Sequence, residues 1–267
     1  MVATATDVWV TGNGPSVLAR IDPSTNTIVA QTPMDGSPCG IAVGPDGLLW
    51  VALLSVGRVV AIDPATAEVT ATIDNLGSQL WDLKAGFGAI WVTDRSKREL
   101  LRIDPATRSV VARIPIGRSG SGLAIAADAI WVVDDVEATV RRIDPATNVV
   151  TAMSELRRGS SWFANDDRTL LIANRLDGSI TPIGTTDGTP DAPILGSKSP
   201  LDGTVGGQRA YIPDGKAGTL VEIDLATRTI ALVDRLEGAR NPFVAEIAFG
   251  DVWVLDYGGQ RIWRIGP

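Results

Sequence analysis

Histidine is absent from this 267-residue chain, and cysteine occurs once, at Cys39. Without imidazole there is no Ser-His-Asp or Cys-His nucleophile, no imidazole metal ligand, and no side chain whose ordinary pKa lies near neutrality. One cysteine excludes an intramolecular disulfide, and no CxxC pair or Cys/His set exists to hold structural zinc. Positive charge is in the minority: 24 Lys and Arg face 31 Asp and Glu, a formal charge of −7. Nucleic acid is therefore not an expected partner, because phosphate backbones are bound by clustered basic residues. Long apolar runs are missing too, so no segment is expected to span a bilayer. The opening MVATATDVWV has neither the basic start nor the apolar stretch of an export signal. The expectation is a soluble chain of open redox compartment, or a domain of a larger secreted or anchored protein. Its alanine, arginine and valine richness suggests a bacterial genome.

What is present is a core and a repeat. Hydrophobic residues make up 45% and charged residues 21%, a balance that supports a folded interior. Ile-Asp-Pro recurs at residues 21–23, 62–64, 103–105 and 143–145, with variants Ile183-Gly184, Ile223-Asp224-Leu225 and Ile265-Gly266-Pro267. Successive landmarks are 41, 41, 40, 40, 40 and 42 residues apart. A period of this length built from short strands is the signature of propeller blades, since no stretch shows the 3.6-residue periodicity of helical repeats.

The fourth unit gives the strand order, with GLAIAA, AIWVVD, TVRRID and VVTAMS separated by turn residues. In the IDPAT turn the Asp is expected to accept a backbone hydrogen bond from two residues on, with Pro presetting the first turn position. The predicted fold is all-β: a single domain over 1–267, a seven-bladed propeller of four-stranded antiparallel blades. Approximate blade limits are 1–35, 36–77, 78–117, 118–157, 158–197, 198–237 and an incomplete 238–267. A six-bladed ring is the alternative, and it would strand VWVLD and RIWRI without a place. Trp9, Trp50, Trp91, Trp131 and Trp253 recur on the second strand, with Leu171 and Tyr211 in the equivalent slots, and are expected to pack between blades.

Function is expected on the loop face around the central channel, where rigid strands carry variable loops. At the mouths of successive innermost strands lie Cys39, Trp81-Asp82, Ser121, Ser161-Trp162, Leu201-Asp202 and Ala245-Glu246. Asp82, Asp202 and Glu246 are candidate metal ligands, for magnesium or calcium, because hard cations take oxygen donors. Their other reading is a set of solvated rim carboxylates. Loops of the same face add Asp94, Arg95, Asp134, Asn174, Asp214, Asp256 and Tyr257. Trp81, Trp162, Phe243 and Tyr257 beside Arg240 have the aromatic and arginine content of a recognition surface, and with Asp82, Asp202 and Glu246 they form the candidate ligand-binding set. Cys39 is expected to be a small filler, since nothing basic enough stands by to make it a thiolate.

GIAVGPDGLLWV followed by GRVVAIDP resembles the repeat of virginiamycin B lyase-like (streptogramin lyase) propellers, and the whole chain is similar to the wider YVTN and NHL repeat group. That resemblance implies a seven-bladed fold and a magnesium-dependent elimination that opens a cyclic depsipeptide, with a catalytic histidine and glutamate. The histidine role has no position in this sequence. The acidic role has one candidate, Glu246. Gluconolactonase-like propellers hold a divalent metal through carboxylate and amide oxygens, which Asp82, Asn165, Asp202 and Glu246 could supply.

Three functions follow as expectations. The first is a sensor or recognition module binding a small molecule or peptide on the loop face. The second is a divalent-metal-assisted lyase or hydrolase using channel-mouth carboxylates, and the third is a scaffold with no site of its own.

Overall fold

A computed structural model describes residues 1–266, so Pro267 of the last landmark lies outside the described residues. The chain falls into two compact units, Met1–Leu123 and Ala124–Pro267. The described residues form no helix, and seven antiparallel sheets follow one another along the chain, which makes the fold a seven-bladed β-propeller. The six-bladed alternative is thereby corrected: Asp251–Asp256 and Arg261–Ile265 are the second and third strands of a seventh sheet.

Blade 3 shows the plan. Its strands Leu80–Gly86, Ala89–Asp94, Glu99–Asp104 and Ser109–Pro115 run in simple order from innermost to outermost. The Asp turn forms as its chemistry dictates: Asp22, Asp63, Asp104, Asp144 and Asp224 each accept, through Oδ1, a backbone N–H two residues on. Two residues later the chain enters the left-handed region at Asn26, Ala67, Arg108, Asn148 and Arg228. In each of these blades the ladder between third and fourth strands then slips by one residue just before the landmark isoleucine. Such a bulge bends and twists the outer strand.

The tryptophan stripe is core, with all five indoles at most 2% exposed. Trp91, Trp131 and Trp253 donate their indole N–H to the carbonyls of Gly86, Ala126 and Ala248, five residues earlier, so a large ring is buried without an orphaned donor. Trp50 donates to the Asp46 carboxylate instead. On the neighbouring strand, directly opposite the ring, Arg20, Arg102, Arg142 and Arg264 lay their guanidinium groups over Trp9, Trp91, Trp131 and Trp253 at 5.0 to 5.9 Å. In each pair the guanidinium itself covers the indole, a cation–π lid.

Two blades depart from the plan. In blade 5 the third strand is only Ile180–Pro182, and the place of a fourth strand is taken by an irregular segment. Pro190 and Pro193 cannot donate to a ladder, so that segment pairs through isolated bridges, Ile180 with Ile194 and Ile183 with Pro190, helped by the Asp191 N–H on the Pro182 carbonyl. Among the described residues blade 7 has three strands.

Candidate functional site

The loop face is organised by a buried acid or amide three residues after the stripe position. Asp94, Asp134, Asn174, Asp214 and Asp256 are almost fully buried, and so are not surface groups of the mouth. Asp214 Oδ1 accepts backbone N–H groups from Ser199, Lys216 and Ala217, and Oδ2 accepts from the backbone of Lys198 and the Ser197 hydroxyl. Burial pushes the Asp214 carboxyl upward, but these hydrogen bonds outweigh it and hold the group below its ordinary value. Asp256 repeats the pattern, accepting N–H groups from Arg240, Asn241 and Gly259 at 2.8 to 3.0 Å. A side chain at Gly259 would place its Cβ 2.1 Å from Asp256 Oδ2, so glycine is required for the approach. Asn174 accepts from Leu176 and Asp177 and donates its Nδ2 to the Arg158 carbonyl. In each of these last three blades one side chain ties the loop between second and third strands to the loop that enters the innermost strand. The signal was in the sequence, in the fixed spacing from the stripe.

In the unit Met1–Leu123, Trp81 is half-buried beneath the guanidinium of Arg95, 4.8 Å from its ring centre, and Arg95 in turn donates to the Ser119 hydroxyl. Asp82 is buried rather than a solvated rim group. Its Oδ1 accepts the Leu83 N–H and its Oδ2 accepts the Leu123 N–H at 2.9 Å, which pins the innermost strand of blade 3 to that of blade 4. Burial pushes the Asp82 carboxyl above its ordinary value, against the pull of Lys84 and those two N–H groups. Cys39 is half-buried, and its carbonyl accepts the Thr11 hydroxyl. Desolvation, with the Asp82 charge as a second cause, raises its thiol to about 12. A thiol so raised is neutral at physiological pH and is no nucleophile.

In the unit Ala124–Pro267, three aromatic side chains from two non-adjacent blades meet, Trp162 of blade 5 with Phe243 and Tyr257 of blade 7. Trp162 stands edge-on to Phe243, ring centres 5.1 Å apart at 77°, and Phe243 lies 6.4 Å from Tyr257. The contact passes over blade 6, whose innermost strand is only Thr204–Gly206. Below it the backbone is stitched sideways: the Gly203 N–H donates to the Phe163 carbonyl, the Asp202 N–H to Phe243, and the Ala245 N–H to the Asp202 carbonyl. Trp162 is nearly buried, Phe243 half-buried and Tyr257 51% exposed, a gradient from core to solvent. Arg240 is exposed, and the Asp256 carboxylate holds its backbone beside the Tyr257 loop. Asp202 and Glu246 are half-exposed at the start and middle of the adjoining innermost segments. Asn165 donates its Nδ2 to the Ile125 carbonyl, a structural use of the amide.

Among the described residues no three His, Cys, Asp or Glu side chains stand close enough to hold one metal ion together. Among the described residues no helix is long and apolar enough to cross a membrane.

No family model and no curated protein sequence matches the chain. Solved structures do match in fold. A catalytically inactive variant of virginiamycin B lyase from Staphylococcus aureus, with quinupristin, superposes with a TM-score of 0.88 at 15% identity, over 100% of this chain and 93% of that one. A streptogramin B lyase superposes at 0.85 and 16% identity, covering 99% and 91%. Kuenenia stuttgartiensis hydrazine synthase does so at 0.85 and 14%, covering 98% and 92%. Enzymes of such different chemistry share this backbone, so the likeness establishes the fold, and function has to be argued from side chains.

Proposed function

We propose that the protein is a recognition module that binds a ring-bearing small molecule or peptide on its loop face, with Trp162, Phe243 and Tyr257 as the apolar contact. The observation that carries this reading is the graded aromatic cluster. An edge-on pair already packed in place loses little conformational freedom on binding, and the exposed Tyr257 offers a face with a polar tip. Arg240 at its side suits a carboxylate or carbonyl of the ligand. Asp202 and Glu246 belong to the proposed face as its flanks, and in the unit Met1–Leu123 Trp81 is proposed for ligand contact and Asp82 for a structural role.

Calorimetric titration with phenylalaninamide, tryptophanamide and short aromatic peptides tests the reading. Binding is expected to the parent protein and to weaken at least tenfold in Trp162→Ala and Tyr257→Ala. Heats that are absent, or the same in all three proteins, would overturn it.

The fold shared with streptogramin B lyase supports a second reading, a divalent-metal-assisted lyase or hydrolase with Glu246 as its acid or base. Titration with magnesium and calcium decides it: a binding heat abolished by Glu246→Gln favours that reading, and no heat removes it.

A further inference from the structure

On the loop face of the unit Ala124–Pro267, Arg158, Arg175, Lys198, Lys216 and Arg240 are all exposed. Among the described residues none of these five side chains makes an ion pair. Arginines elsewhere in the unit are neutralised: Arg157 pairs with Asp177, Arg228 with Asp191, Arg235 with Glu237 and Arg264 with Asp251. In a chain whose formal charge is −7, a set of unpaired cations on one face runs against the composition.

The loop clamps set these five residues in a line. Asn174 donates its Nδ2 to the Arg158 carbonyl, and the next residue, Arg175, donates its N–H to the Gly159 carbonyl. The Ser199 hydroxyl donates to the Arg175 carbonyl, which brings Lys198 against the same loop. Lys198 and Lys216 both donate their backbone N–H to the Asp214 carboxylate, at 2.5 and 3.1 Å. Blades 6 and 7 meet as closely: a Cβ on Gly215 would lie 2.6 Å from Asn241 Oδ1, beside Arg240. Asp214 and Asp256 do not neutralise the line, because both are buried and their oxygens already accept N–H groups. Asp202 and Glu246 stand half-exposed on the innermost segments and offset part of the charge, which leaves the positive sign in excess.

We infer that the ligand of this face is an acidic peptide segment, a run of carboxylates around an aromatic residue. The inference deepens the proposed function and rests on it for the ring of the ligand. Cations carried on the loops of three successive blades exceed the reach of one compact anion, whereas an extended chain of carboxylates follows them from loop to loop. Arginine takes a carboxylate through two parallel N–H groups, and lysine takes it as a point charge. Binding at these side chains breaks no existing ion pair. Grouped positive charge also steers an anionic ligand to the face against the net charge of the chain.

The probes are fluorescently labelled peptides EEFEE and QQFQQ, blocked at both ends, titrated into the intact protein and read by anisotropy at low and high salt. EEFEE is expected to bind at least tenfold tighter than QQFQQ at low salt, with the advantage shrinking as salt is added. Lys198→Gln combined with Lys216→Gln should weaken EEFEE at least fivefold and leave QQFQQ unchanged. The fold is expected to survive that pair, since only the backbone N–H groups of the two lysines serve the clamp. Equal affinity of the parent protein for the two peptides overturns the inference, and so does tighter binding of inorganic tripolyphosphate than of EEFEE. The two proposals fail separately: QQFQQ binding as tightly as EEFEE leaves the aromatic reading and removes this one, while EEAEE binding as tightly as EEFEE supports recognition of charge and removes the ring.

Discussion

Blades 2 and 6 solve the same repeat position in opposite ways. Three residues after the stripe, blade 2 carries Leu53, 1% exposed, and blade 6 carries Asp214, equally buried. Around Leu53 the loops are tied by ordinary means: the Leu54 N–H donates to the Ser37 carbonyl and the Ser37 N–H to the Ser55 hydroxyl. Around Asp214 four backbone N–H groups converge on one carboxylate. A buried charge is tolerable there only because donors are already in place, and a buried leucine is tolerable in blade 2 because they are not. The loops of blade 7 follow the Asp214 solution through Asp256; one leads into Phe243 near the start of the innermost strand and the other carries Tyr257.

The sharpest way to break the comparison is Leu53→Asp, which removes an apolar contact and buries a carboxylate with no donors waiting. A loss of about 4 kcal/mol of unfolding free energy is expected, measured by urea denaturation. Next in size is Asp256→Ala, which leaves the N–H groups of Arg240, Asn241 and Gly259 without an acceptor and should cost about 3 kcal/mol. It should also reduce binding of aromatic ligands, since the same carboxylate fixes the segments that bear Phe243 and Tyr257.

A smaller effect separates two buried carboxylates by sign. Asp214 is held below its ordinary value, so its stabilisation is complete above the unfolded carboxylate pKa, about 3.9, and is lost as pH falls through its lower folded value. Asp82 is raised, so folding favours its protonated form, and a penalty sets in as pH rises through the folded value. Asp214→Asn should therefore flatten the acid limb of the stability curve below about pH 4. Asp82→Asn should instead flatten a decline on the side above it, with a net change of under about 1 kcal/mol at neutrality because one of two accepted N–H groups is lost. Matching pH profiles for the two variants would remove the distinction. Least perturbing of all is Cys39: with its thiol raised to about 12, labelling by a thiol reagent at pH 7.5 should be far slower in the folded protein than in urea. Equal rates would show an exposed, reactive sulfur.

The sequence makes the blade plan legible because its signals are local. An Asp-Pro turn spans five residues and a tryptophan needs only its own strand to be placed, so the seven-bladed architecture and the buried stripe follow directly. The prolines at 190 and 193 carried the warning that blade 5 would not complete a ladder. The mouth was harder. An aspartate in a loop looks the same whether it faces water or caps that loop, and only its constant offset from the stripe marks Asp94, Asp134, Asp214 and Asp256 as caps. Trp162 and Phe243 lie 81 residues apart in the chain, and their meeting depends on how short the innermost strand of blade 6 is. Pattern alone does not report that.

Nearly all the donors that Asp214 and Asp256 collect are main-chain N–H groups. Such a clamp is indifferent to what the clamped residues display. Lys198, Lys216, Arg240 and their neighbours could be rewritten by drift or by design while the loop trace stays put, much as antibody loops vary on a constant frame. The surface that meets ligand is thereby uncoupled from the scaffold that holds it, and one backbone can be re-addressed to new molecules without being refolded.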